Sequence, residues 1–151
     1  MTTDIQESIN GLNYGESIKF LVGHVVTGVI CDYGLNDGHN DIVFQTTDLI
    51  IRYRSVGDCC SESWVENIDD LENMIDSEIL SVEALDVTEE KDDRQGSLTK
   101  YDYLIKTAKG DARLEFRNTS NGYYGGWLEL KSVNSRANGE VLWSDKHESY
   151  L

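Results

Sequence analysis

Short runs in which apolar and polar residues alternate constrain this chain most. From Ala112 to Asn118, residues Ala112, Leu114 and Phe116 fall on one side, and Arg113, Glu115 and Arg117 on the other. A strand turns successive side chains to opposite faces, so this period of two calls for a sheet with one packed face and one wet face. Leu49 to Arg54 repeats the pattern, with Ile51 and Tyr53 opposed to Arg52 and Arg54. Trp127 to Val133 sets Leu128 and Leu130 against Glu129 and Lys131. Val25 to Cys31, Ile42 to Thr46, Ile79 to Val87 and Tyr101 to Ala108 bring the count to about seven predicted strands, with a bulge expected at Gly28. Turns are expected at 32–41, at Thr47-Asp48, at Lys109-Gly110-Asp111 and over Thr119 to Gly126. The chain has no proline, so Gly, Asn and Asp must supply the tight turns.

One segment follows a different period. Trp64, Ile68, Leu71 and Ile75 recur at i, i+4, i+7 and i+11, which predicts a helix from Ser63 to Ile75, with Ser63 and Glu66 as a capping box. Ile5, Ile9 and Leu12 predict a short N-terminal helix over 4–12, with Thr3 as its N-cap. The charges from Glu89 to Asp93 predict a mobile loop over Thr88 to Ser97. The expected fold is α+β: a mostly antiparallel sheet of about seven strands, one main helix packed on it, and the short N-terminal helix. A chain of 151 residues fits a single domain, here 1–151 with a C-terminal extension over 134–151.

Charge is unevenly spread. Between Glu62 and Asp93 stand thirteen acids and one base, Lys91; that balance of −12 leaves −3 for the rest of a chain whose net charge is −15. Such a field repels DNA, RNA and anionic membranes, and attracts basic protein surfaces. Glu62, Glu66, Asp69, Asp70, Glu72 and Asp76 are therefore the candidate partner-binding surface, although a solvated helix face would carry the same residues. No apolar run approaches the roughly 20 residues of a membrane span. Met1 to Asn10 lacks the basic and apolar regions of a signal peptide, and three cysteines, two of them adjacent, do not form a secreted disulfide framework. The expected location is the cytoplasm.

Two longer motifs stand apart from the strand pattern: Gly57-Asp58-Cys59-Cys60-Ser61-Glu62-Ser63-Trp64 and Ser120-Asn121-Gly122-Tyr123-Tyr124-Gly125-Gly126. Preceded by Leu21-Val22-Gly23, they resemble an uncharacterised domain family of phages and bacteria that carries GDCCSxSW and SNGYY motifs. The resemblance spans about 20–131. It implies a small accessory protein, often phage-borne and so acting in a host cytoplasm, and it assigns no catalytic residue.

Read for chemistry, Cys59 and Cys60 precede the predicted helix, whose N-terminal amides can stabilise a thiolate; equally, Asp58 or Ser61 can cap that helix over a packed thiol, beside Trp64. Vicinal cysteines do not match zinc spacing, and the acids lack the alternation of a calcium loop, so neither metal nor cofactor is expected. Arg113, Arg117, Asn121, Tyr123, Tyr124 and Trp127 offer a Gly-rich turn, aromatic faces and guanidiniums that would suit a small nucleotide. Three functions follow. The first is a non-enzymatic protein that binds and inhibits a host factor, such as a defence protein, through its acidic surface. The second is a sponge for a nucleotide signal. The third is a thiol-dependent enzyme using Cys59 or Cys60. The N-terminal helix could also support a homo-oligomer.

Overall fold

The computed structural model describes residues 17–32, 40–57, 61–85, 87–92, 96–120, 126–136 and 148–149. Its strands are β1 (Val25–Asp32), β2 (Asn40–Thr46), β3 (Leu49–Gly57), β4 (Glu62–Asp69), β5 (Ser77–Ala84), β6 (Thr88–Asp92), β7 (Gly96–Thr107), β8 (Gly110–Ser120), β9 (Gly126–Ser135) and β10 (Glu148–Ser149). Two 3-10 turns, Ser17–Leu21 and Leu71–Asn73, complete the described elements, and no α-helix is found among the described residues. The strands form one sheet in the order β4-β8-β7-β5-β1-β2-β3-β9. β6 continues the line of β5 along β7, and β10 pairs with the part of β1 that β5 leaves open.

Every strand on that path feeds one apolar cluster. Val65 and Ile68 of β4, Leu114 and Phe116 of β8, Ile105 of β7, Ile79 and Val82 of β5, Val29 of β1, Phe44 of β2, Tyr53 of β3 and Leu128 of β9 all belong to it. A sheet whose first and last strands share a core must curl. β4 accordingly packs against β3 and β9, and the sheet forms a half-closed barrel. Ser17–Leu21 lies against β5 and β9 and sends Ile18 and Leu21 into the core. The Tyr53 hydroxyl donates to the Ser17 carbonyl at 2.8 Å, and Ser17 Oγ donates to the Leu128 carbonyl at 2.6 Å. Burial pushes the Tyr53 phenol well above its usual range.

The expected α+β fold is therefore corrected: the described chain is nearly all β. The predicted main helix is the clearest miss. Ser63 lies in β4, which ends at Asp69, and Leu71–Asn73 is a single 3-10 turn. A bulge between Val65 and Asn67 resets the alternation, so Val65 and Ile68 both face the core. Leu71 and Met74 then follow in a turn flanked by Asp70 and Asp76, which hold left-handed φ values of 57° and 58°. One bulge plus one turn spaces apolar residues by three and four, which imitates helical period. The predicted loop over Thr88 to Ser97 is corrected too, because Thr88–Asp92 pairs with β7 from Thr88↔Lys100 to Asp92↔Gly96. Where no bulge intervenes, alternation reads correctly: Ala112, Leu114 and Phe116 are buried, as are Ile51 and Tyr53. The bulge expected at Gly28 falls between Val26 and Gly28. The predicted N-terminal helix over 4–12 lies outside the described residues.

Candidate functional site

Sheet register brings the two motifs together. β3 pairs with β9 as far as Gly57↔Gly126, and β4 pairs with β8 from Glu62↔Thr119. The segment joining β3 to β4 and the segment joining β8 to β9 therefore leave the barrel at the same end. The contact there is close. A Cβ on Gly126 would lie 2.8 Å from the Val56 carbonyl oxygen and from Asn118 Nδ2, and would press on Ser63 Oγ. One on Gly57 would lie 2.5 Å from Ser61 Oγ. Only hydrogen fits at Gly126, where the backbone of Val56 stands in the way, whereas at Gly57 the neighbours are side-chain atoms. Asn118, fully buried, donates from Nδ2 to Ser63 Oγ at 2.8 Å across the β4–β8 ladder.

At this end the inward-facing positions change from apolar to polar. Ile51 and Tyr53 give way to Ser55, and Leu114 and Phe116 give way to Asn118. A cavity of about 350 Å³ opens there, lined by Asn40, Ser55, Gly57, Ser61, Glu62, Ser63 and Trp64. Ser55 is only 9% exposed, and among the described residues its Oγ has no hydrogen-bond partner; the same holds for Asn40 Oδ1, Asn118 Oδ1 and Arg117 Nε. Glu62 is the charged residue in the described wall.

The residues singled out from sequence are distributed as follows. Ser61 and Trp64 line the cavity, as does Glu62. Trp64 Nε1 donates to Glu66 Oε2 at 2.7 Å. Arg117 reaches Glu66 at 3.5 Å and Glu115 at 3.3 Å, and Arg113 reaches Asp102 at 2.5 Å. The arginines of β8 thus stand between the carboxylates of β4 and β7. Glu62 and Glu66 lie toward the cavity end of β4; Asp69 ends the strand, and Asp70, Glu72 and Asp76 occupy the turn beyond it. Arg113 pairs in register with Asp69, four residues along β8 from Arg117, while Trp127 sits on β9 opposite Val56. Arg52 and Arg54 converge on buried Asp41 at 2.6 and 2.8 Å. Asp58, Cys59, Cys60, Asn121, Tyr123 and Tyr124 lie outside the described residues. Sequence reasoning passed over Asn40, Ser55 and Asn118. Their signal was a polar residue continuing the buried side of an alternating strand.

No group of three or more His, Cys, Asp or Glu side chains that could hold a metal occurs among the described residues. No described helix is long and apolar enough to cross a membrane.

Residues 19–130 match the family model described as a domain of unknown function, DUF7448. That stretch includes both motifs. The chain is also similar to Uncharacterized protein L278 of Acanthamoeba polyphaga mimivirus: they are 33% identical over 103 residues, 64% of this chain and 81% of the viral protein. No solved structure matches. With nearly all of β1 to β9 inside the matched span, this chain belongs to the DUF7448 family of domains.

Proposed function

We propose that the protein works by binding rather than by catalysis, and that the cavity beside the start of β4 holds a small ligand. The carrying observation is the cavity wall itself, where the hydroxyl residues Ser55, Ser61 and Ser63, the Glu62 carboxylate and the Trp64 indole gather beyond the apolar core. Convergent polar groups beside an aromatic ring are the usual make-up of a small-molecule site. Barrel mouths are recurrent ligand sites, and the volume lies within the usual range for small molecules. Native mass spectrometry of protein purified from its host cell tests this. The expected result is a co-purified small molecule that is lost from the Ser55→Val variant. Wild-type protein that carries nothing, and is stabilised by nothing in a thermal-shift screen of host metabolites, would count against the reading.

A second reading keeps the acidic surface as a dock for a basic host protein, and so as an inhibitor of a host factor. It is favoured by the exposure of Asp70, Glu72 and Asp76 on one turn and of Glu78 and Glu83 on the strand that follows. A viral relative fits the setting in which such an inhibitor would act. Charge reversal of Glu72, Asp76, Glu78 and Glu83 should abolish capture of a host protein in pull-downs. Capture that persists would remove this reading.

A further inference from the structure

β1 begins at Val25, opposite Glu78, so β5 runs on past the start of its neighbour. The last bonds on that side join the Ile79 N–H to the His24 carbonyl at 2.9 Å and the Gly23 N–H to the Ile79 carbonyl at 2.8 Å. From Ser81 to Ala84 the strand pairs with β7 alone among the described residues, and β6 beyond it does the same. Resting on the reading of the acidic surface as a dock for a basic protein, we infer that the partner engages this open edge: an extended segment rich in Lys or Arg adds to β5 as a further strand.

The backbone is in phase for it. The Leu85 N–H donates to the Asp102 carbonyl at 2.8 Å, so Leu85 faces β7. Bonding sides alternate along an antiparallel strand, so Glu83 faces β7 as well, and Val82 and Ala84 turn their N–H and C=O groups to the open side. A row of such groups is a template for another strand. The chain has no proline to blunt it, and Leu80, Glu83 and Ala84 are exposed. Leu80 is the extra residue of a bulge, since Ile79 pairs with Thr107 and Ser81 with Lys106. It is 53% exposed, and Val22, next to Gly23, is 42% exposed, which gives an incoming strand apolar contact at one end of the edge.

Charge selects the occupant. Glu78 and Glu83 on β5 and Glu89 and Glu90 on β6 are exposed. Lys100 answers Glu90, whereas the residue opposite Glu83 on β7 is Leu104, which carries no charge. Opposite charges on neighbouring strands attract and like charges repel. A second copy would bring the same carboxylates, and a net charge of −15, against this edge. Self-pairing is therefore opposed, while a basic strand is favoured.

The test is amide hydrogen exchange of the full chain, read by NMR, with three peptide probes of about eight residues, a common strand length. One alternates Lys and Val. The second alternates Lys and Pro, which keeps the charge but removes half the N–H groups. The third alternates Glu and Val. In the free protein the Val82 and Ala84 amides should exchange faster than those of Glu83 and Leu85. The Lys–Val peptide should bind and slow both, and the other two peptides should not. Ala84→Pro removes an N–H that faces away from β7, which an edge strand tolerates, and should weaken the Lys–Val peptide by about tenfold. Glu83→Lys should weaken it by about threefold. Binding of the Lys–Val peptide without protection of Val82 and Ala84, or equal binding of the Lys–Pro peptide, would overturn strand addition and leave the acidic dock in place. Equal or tighter binding of the Glu–Val peptide would overturn the basic occupant. A dimer with both amides already protected would put a second copy on the edge and overturn it too. If neither basic peptide binds, the inference fails, and the charge-reversal pull-down decides the acidic dock separately.

Discussion

A methyl group at Gly126 would meet the Val56 carbonyl oxygen at 2.8 Å, and a backbone atom cannot swing aside as a side chain can. Gly126→Ala is therefore expected to cost roughly 1–3 kcal/mol in urea unfolding, the usual penalty for overpacking a tight contact. An unchanged midpoint would mean that the crossing is looser than described. Asp41 sets a second residue-scale expectation. Burial opposes its charge, but hydrogen bonds from Arg54 and Arg52 outweigh that and hold the carboxyl below its usual range. The folded state thus binds this proton less readily than the unfolded chain. Its stabilisation is complete above the unfolded value of about 3.9 and fades as pH falls through the lower folded value. Asp41→Asn should remove about 2 kcal/mol at neutral pH and flatten the acid limb of a stability–pH curve; an acid limb identical to wild type would contradict the assignment. At this scale the sequence was readable for what alternation buries, such as Phe116. It was not readable for Asn118, because a polar side chain on a buried stripe looks like the end of a strand until its partner across the ladder, Ser63, is seen.

β4 shows why one element was misread. In the predicted helix, Val65 falls off the apolar stripe and faces water. In the strand it is 2% exposed, because the bulge turns both Val65 and Ile68 inward. Val65→Ala therefore separates the two. A loss of about 2 kcal/mol is expected for the buried position, against less than about 0.5 kcal/mol for a surface one. Urea or thermal unfolding reads the difference. Local preference had in fact pointed away from a helix: Asn67, Asp69, Asp70 and Asn73 compete for backbone hydrogen bonds and favour turns. The pattern of apolar residues outweighed that signal. β6 was misread for a related reason. Its charged residues suggested a solvated loop, but an edge strand tolerates charge and uses it to discourage unwanted pairing. Lys100 on β7 holds Glu90 across the ladder at 2.9 Å.

For the whole molecule, the strands were largely legible and their order was not. Hairpins such as β2–β3 and β7–β8 follow from short turns in the sequence. The pairing of β3 with β9 and of β4 with β8 depends on how the curled sheet closes, which no local pattern encodes. That closure splits the acidic run, with Glu62 and Glu66 on β4 and Asp70 to Asp76 beyond its end, and it brings Gly126 against Ser63 beside a polar cavity. The most direct measurement is a nuclear Overhauser spectrum of the uniformly labelled chain. Cross-peaks are expected between the Ser63 β-protons and the Gly126 α-protons, residues on strands that share no ladder, and between Ser63 and the Asn118 side-chain amide. Loss of both, with medium-range contacts three residues apart running from Ser63 to Ile75, would mean a helix in place of β4 and no meeting of the motifs.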